Sequence, residues 1–444
     1  MENQPTKLID KIRQQFDFGP YPRVPIEKSP KDNGNLLFIH NLITPYYLRN
    51  HQVTNTEGKI ILDAGCGTGW KSLALAEANP GAKIVGIDLS EKSIELARER
   101  LQFHGHSSAE FHVLSLEDLP TLGIEFDYIN CDELLYLFDD IAAALRAMKA
   151  VLKPEGIIRS NLHSSLQRFN YFRAQEVFQI MGLLEENPEE EQIEMALETI
   201  KALKNGVDLK VKTWNPNYED KENGKETVLM NYLFQGDKGY TIPQLFNALT
   251  AADLTFISMV NWRHWEIMDL FKNPDELPIY LAFGLGDMSE EGKLHLFELL
   301  HPIHRLLDFW CGHPDAAAKT KPVEEYTDSD WEKALVYLHP QLKTEKCKQE
   351  MRECIAEMKP FQISRYITSP ALVPIHIESN IAACLLPLWE QPQSVTSLVE
   401  RWLKLKPVHP VTLEPMTQKT AWAEVKEMLT RLEAFLYLLL DCSA

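Results

Sequence analysis

The sequence predicts an α/β fold: a doubly wound, mostly parallel sheet of seven strands followed by a mainly helical C-terminal domain. Three observations lead there. Apolar, strand-like runs alternate with helical patterns from Lys59 to about residue 163, which calls for a parallel sheet covered by helices on both faces. The first strand ends in Asp63 and turns through Gly65, Gly67 and Gly69 into a helix-forming stretch. The chain has 444 residues, more than one ordinary core accommodates.

The elements follow in order. Residues 1–58 precede the first strand as a cap segment. Lys59–Leu62 is the first strand and Lys71–Ala78 the first helix, stopped by Asn79-Pro80-Gly81. Lys83–Ile87 is a second buried strand ending at Asp88, and Ser90 caps a helix with Ile94, Ala97 and Leu101 on one face. Phe111–Leu114 and Phe126–Cys131 are strands three and four. A helix carrying Ile141, Leu145, Met148 and Leu152, ended by Pro154-Glu155-Gly156, leads into strand five, Gly156–Leu162. An insertion then runs from about 165 to 227, with an acidic helical middle, in the position of a lid. Thr241 and Gln244 form a capping box. Leu254–Val260 and Ile279–Phe283 read as the last strands, closing a domain over 59–288. From 289 to 444 the pattern is helical, with Asn380–Trp389, a helix capped by Ser394, and Ala421–Leu440, loosely winged-helix-like over 370–444.

Composition narrows the function. A formal net charge of −19 repels phosphate backbones, so neither nucleic acid nor an anionic membrane is an expected partner. Seven scattered cysteines and an N-terminus without an apolar signal region point to a reducing, cytoplasmic setting. His301, His304, Cys311 and His313 are zinc-ligand types, but Pro302 interrupts their spacing and no CxxC partner exists, so no metal site is expected.

The glycine loop opens onto a helix N-terminus, which favours a carboxylate or a phosphate. Asp88 can accept two hydrogen bonds from ribose hydroxyls, and Leu89 can pack on a purine. The blocks ILDAGCGTGW, IVGIDLS, FDYINCDELLYLFDD and ALRAMKAVLKPEGII, spanning about Lys59 to His163, resemble class I S-adenosylmethionine-dependent methyltransferases. The resemblance implies a Rossmann-like methyltransferase with S-adenosyl-L-methionine as cofactor. It places the methionine part on the loop of Asp63, Gly65, Cys66, Gly67 and Gly69, the ribose on Asp88, and the backbone of Cys131 near the cofactor. Many relatives carry an Asp after strand three that meets adenine; here Ser115 stands in its place, leaving Ser115 or the Leu116 backbone for that contact.

Methyl transfer needs alignment of donor and acceptor, and a base where the acceptor must lose a proton early. His163, Asp132 and Glu133 follow strands four and five at the ligand edge and are the candidate bases. Tyr21, Tyr46, Tyr47, Trp262 and Trp265 are candidate walls of an acceptor pocket. The expected acceptor is a small molecule first and a protein side chain second. A cofactor-binding regulator without catalysis is the alternative. A nicotinamide-dependent oxidoreductase is disfavoured by the glycine spacing and by LKPEG.

Overall fold

The computed structural model describes residues 21–185, 187–219, 224–314, 316, 321–409 and 411–442; the first twenty residues of the cap segment lie outside them. Its centre is an eight-stranded sheet. The strands are β1 (Ile60–Ala64), β2 (Lys83–Asp88), β3 (Glu110–Val113), β4 (Phe126–Cys131), β5 (Leu152–Ser164), β6 (Gly239–Tyr240), β7 (Thr255–Met259) and β8 (Leu306–Gly312). Their order is β3-β2-β1-β4-β5-β8-β7, with the two-residue β6 added beside the end of β5. β1 to β5 run parallel, and β8 lies antiparallel between β5 and β7. Without the short β6 this is the mostly parallel seven-stranded sheet expected from the sequence.

The identity of the last strand differs. Ile279–Gly286 is a helix, and the antiparallel strand is Leu306–Gly312, beyond residue 288. A short apolar run such as IYLAF does not distinguish helix from strand. Here Pro278 precedes the helix, and of its residues only Leu285 is buried. LLDFWCG escapes a reading as strand because Asp308 interrupts its apolar run. In the sheet, Asp308 faces Arg159 of β5, whose guanidinium donates to both carboxylate oxygens at 3.1 and 2.7 Å. A bidentate pair satisfies a charge that would otherwise be costly to bury.

The insertion is a folded unit. Helices Phe169–Ile180, Glu190–Ala202, Asp208–Thr213 and Gly224–Tyr232 enclose a small core of Ala174, Phe178, Ile193, Ala196, Ile200, Val228 and Tyr232.

The C-terminal region is less separate than its sequence indicates. Its residues Val336, Leu429 and Leu438 belong to the same buried cluster as Tyr47, Ile61 and Trp310. It is mainly helical around short strands: β9 (Leu335–Leu338), β10 (Phe361–Gln362), β11 (His376–Ile377), β12 (Gln393–Ser394) and β13 (Leu438–Asp441). β10 and β11 pair with each other, and the rest form an antiparallel sheet ordered β12-β9-β13. The long helix ends at Glu433, and Leu438–Asp441 is strand rather than helix. Helices Ser379–Leu385, Val395–Leu405 and Gln418–Glu433 occur in a winged-helix-like order. The strand beside β13 is β9, which comes from before them, so among the described residues no hairpin wing follows.

Candidate active site

At the carboxyl ends of β1 and β2 the chain builds a cradle from backbone. Gly65, Gly67 and Gly69 have φ of 73°, 49° and 79°, where a Cβ is strained. The space is also taken. A Cβ on Gly67 would lie 2.2 Å from the carbonyl oxygen of Tyr21, and one on Gly69 2.7 Å from Cα of Ala97. The Gly67 contact arises because the N-terminal segment crosses the loop. Thr68 donates its N–H to the Tyr21 carbonyl at 3.0 Å and its hydroxyl to Pro22 at 2.7 Å. Buried Arg100 completes the strap, donating to the carbonyls of Thr68, Pro25 and Val24 at 2.9, 2.8 and 2.6 Å.

Asp88 ends β2 and accepts N–H bonds from Gly67 and Ser90, both at 2.9 Å. These bonds aim its carboxylate and tie it to the glycine loop. Asp63 acts from behind: it is buried and accepts from Ser72 at 2.6 Å and from Asn130 at 2.8 Å. Burial pushes its carboxyl up to about 6 despite these bonds. It braces β1, β4 and the following helix and does not line the cavity.

The cavity encloses about 640 Å³, within the range of small-molecule sites. One wall is Gly65, Cys66, Gly67, Asp88 and Leu89, continued by Leu114 and Leu116. The rest of the lining includes Tyr21, Glu133, Tyr136, Glu226, Asn231, Phe234 and Arg305. Of the residues expected at the cofactor, Asp63, Gly69, Ser115 and Cys131 do not line it. Gly69 is the hinge into the helix. Ser115 turns its hydroxyl to Asp118 at 2.7 Å. Cys131 is fully buried in the cluster that holds Leu62, Ile129 and Leu162, and burial raises its thiol to about 12.

The candidate bases separate. Asp132 lines the cavity but is engaged by Lys71 at 2.6 Å and Asn161 at 2.5 Å. Burial alone would raise its carboxyl; Lys71 and Arg159 outweigh this and hold it well below the usual range. Glu133 sits at φ 60°, with its N–H bound by Asn161 at 2.9 Å. Its carboxylate receives Tyr136 at 3.1 Å and pairs with Arg305. Against the raising effect of burial, the neighbouring His163 ring and the Arg305 charge hold it at about 2. A group ionised that firmly is a poor proton acceptor near neutral pH. His163 does not reach the cavity: it is buried behind Tyr136, stacked at 3.9 Å between ring centroids.

Of the aromatic candidates, Tyr21 alone lines the cavity. Burial, then Glu133 and Glu226, push its hydroxyl up to about 12, so it stays protonated. Tyr46 and Tyr47 lie elsewhere. Tyr46 donates to the Asp127 carbonyl at 2.8 Å, at the amino end of β4 and opposite the ligand edge. Tyr47 donates to Glu433 of the C-terminal region at 2.9 Å. Trp265 stacks on His304 at 4.4 Å, and Trp262 packs near Phe38 at 6.4 Å. No group of metal-ligating side chains clusters among the described residues, and no described helix is long and apolar enough to cross a membrane.

Sequence reasoning misses Arg305, Tyr136, Glu226 and Asn231. Arg305 has a signal. Read as a strand, Leu306–Gly312 is antiparallel, so the residue before it stands at the carboxyl edge of its parallel neighbours.

Comparison with known proteins agrees with this geometry. Residues 55–230 match a family model described as a methyltransferase domain. Over these residues the chain carries a methyltransferase domain. Ubiquinone biosynthesis O-methyltransferases are similar over part of the chain: 38% identity with that of Bordetella avium over 22% of this chain and 41% of the relative, and 33% with that of Actinobacillus pleuropneumoniae over 28% and 55%. The chain thus spans about half the length of these curated relatives. An uncharacterized Synechococcus protein is 25% identical over 73% of this chain and 75% of its own length. The solved structure of PKMT2 from Rickettsia typhi in complex with AdoHcy shares the fold over 94% of this chain and 76% of its own, with TM-score 0.57 and 18% identity.

S-adenosylmethionine is the methyl donor of this class, and the cradle fits it. Gly65 and Gly67 line the cavity beside the Asp88 carboxylate, a group able to accept from hydroxyls, and Leu89, Leu114 and Leu116 give the lining an apolar part.

Proposed function

We propose that this protein transfers the methyl group of S-adenosylmethionine to a small-molecule acceptor held between the glycine-loop wall and the insertion. The single observation that carries the reading is the continuity of one cavity from Asp88 and the glycine loop to Glu226 and Asn231 of the insertion. Bound S-adenosylmethionine supplies a methyl carbon already activated by its sulfonium. The chain's own residues then supply alignment, worth on the order of 7–11 kcal/mol for well-oriented partners. Asp132 and Glu133 act as fixed negative charges facing the reacting region. Glu226 is the lining carboxylate suited to taking a proton, because burial moves its pKa upward against the opposing charge of Arg23.

A protein side chain is the second acceptor reading. It is favoured by the apolar side chains that the C-terminal region exposes at Leu405, Val408, Val411 and Leu413. A cytoplasmic setting belongs to the same proposal, and it is supported by seven cysteines that all carry free thiols.

The test is incubation of the purified protein with cell extract and S-adenosylmethionine labelled in its methyl group, followed by separation of metabolites from proteins. Label in the metabolite fraction is expected. Label confined to protein would replace the small-molecule reading with the second one. Tight binding of S-adenosylhomocysteine without label in either fraction would leave a cofactor-binding regulator in place of an enzyme.

A further inference from the structure

The insertion leaves the sheet at the end of β5 and returns beside it. β6 pairs there, His163 with Gly239 and Ser164 with Tyr240. Two charged residues stand at these joins, Arg168 just after the exit and Asp237 just before the return. Both side chains are buried, and Arg168 donates to Asp237 at 2.7 Å. Gln175 donates to the same carboxylate oxygen at 2.9 Å. Arg168 also reaches Asn231 at 3.3 Å, a residue of the cavity wall. The two ends of the insertion and its cavity-facing helix are therefore held by one buried clasp.

The other oxygen of Asp237 meets Nδ1 of His163 at 2.5 Å. A carboxylate only accepts, so Nδ1 carries the proton. Nε2, on the other side of the ring, lies 3.5 Å from the Glu133 carboxylate. Arg305 has only donors and meets that nitrogen at 3.0 Å. The clasp thus fixes the orientation of the ring between the insertion and the Glu133–Arg305 pair. Arg305 in turn pairs with Glu133, whose backbone is held in the left-handed region at φ 60°.

We propose that Asp237 and His163 form a positioning relay that couples the seating of the insertion to the Glu133–Arg305 pair on the acceptor wall. The inference rests on reading this cavity as the site of methyl transfer. Neither Asp237 nor His163 lines the cavity, so they act through the pair and not on the acceptor. A buried charge tolerates the loss of its partner poorly. Removing the Asp237 charge strands Arg168 on one side and frees the imidazole on the other. Releasing Arg305 from Glu133 sends the disturbance in the opposite direction.

Amide hydrogen exchange of the full-length protein tests the relay. The Glu133 carboxylate faces Arg305, Tyr136 and His163, none of which belongs to Gly224–Tyr232. Glu133→Gln should nevertheless speed exchange in that helix at least about fivefold, as should Asp237→Asn. The double variant should exchange no faster than the faster single one, because the path is already cut. If Asp237→Asn does not fold, His163→Gln cuts the same link and takes its place. Unchanged exchange in Glu133→Gln, or effects that multiply in the double variant, would overturn the relay. S-adenosylhomocysteine binding by the unmodified protein is measured alongside by calorimetry. Failure of the unmodified protein to bind it would sink the methyl-transfer reading while leaving the exchange result to judge the coupling.

Discussion

The two walls of the cavity are made in different ways. On the proposed reading the donor wall joins one short stretch of loop, Gly65 to Gly67, to Asp88, Leu89, Leu114 and Leu116. The acceptor wall is made of side chains from four distant segments: Tyr21, Glu133 and Tyr136, Glu226 to Phe234, and Arg305. A backbone cradle constrains residue type sharply, because a Cβ either fits or collides. A side-chain wall constrains type weakly, because charge and shape can be supplied from many positions. One cavity can therefore keep a fixed donor site while its acceptor site is free to vary.

That contrast can be broken most directly at Gly67. Gly67→Ala adds a Cβ 2.2 Å from the Tyr21 carbonyl oxygen at a positive φ, a strain of about 1–3 kcal/mol before the strap moves. S-adenosylhomocysteine affinity should fall by at least about 100-fold once displacement of the strap is included. Calorimetry reads this directly. An affinity within a few-fold of the unmodified protein would mean that the loop does not form the donor wall.

The complementary change is Glu133→Gln on the acceptor wall. It removes a charge held ionised at about 2 and leaves every glycine in place. Methyl transfer should fall by about 100-fold, the scale for losing one preorganised electrostatic group. Donor affinity should hold. Steady-state rates at saturating donor separate the two effects, and a loss of donor binding equal to the loss of rate would merge the walls into one.

The same contrast explains what can be read from the chain alone. The glycine loop, Asp88 and the strand order up to β5 are local patterns, since each is written within a few residues by φ requirements and apolar periodicity. β8 is not legible, because Asp308 looks solvent-facing until Arg159, about 150 residues earlier, is placed across from it. Arg305 escapes with it, since only the reading of Leu306–Gly312 as an antiparallel strand places the residue before it at the site, and nothing near Glu226 in sequence marks the wall it joins. Tyr46 and Trp265 are buried core residues, and aromatic type alone does not say which end of a strand a side chain faces.

Asp63 sharpens the distinction between a wall and its support. Burial raises its carboxyl to about 6 from an ordinary 3.8, so the folded state binds this proton more readily than the unfolded chain. The stability it contributes is present below pH 3.8 and is lost as pH rises to about 6. Asp63→Asn should flatten stability in that window. At pH 7 it should stabilise by about 1–2 kcal/mol, less than the full value of two pKa units, because the amide must both accept from Asn130 and donate to Ser72. Urea unfolding across pH measures this. Donor affinity should change less than in Gly67→Ala, since Asp63 does not line the cavity.

The smallest effect is expected at Tyr46, and its value lies in being confined to stability. Its hydroxyl donates to the Asp127 carbonyl at the amino end of β4, on the side of the sheet away from both walls. Tyr46→Phe keeps the ring in its buried place and removes one hydrogen bond, a loss of about 1 kcal/mol. The urea midpoint should drop accordingly, while donor affinity and transfer rate stay as they are. A change in acceptor KM without a change in stability would return Tyr46 to the acceptor pocket. It would also mean that the acceptor wall extends past the carboxyl edge of the sheet, where the cavity containing Asp88 and Glu226 ends.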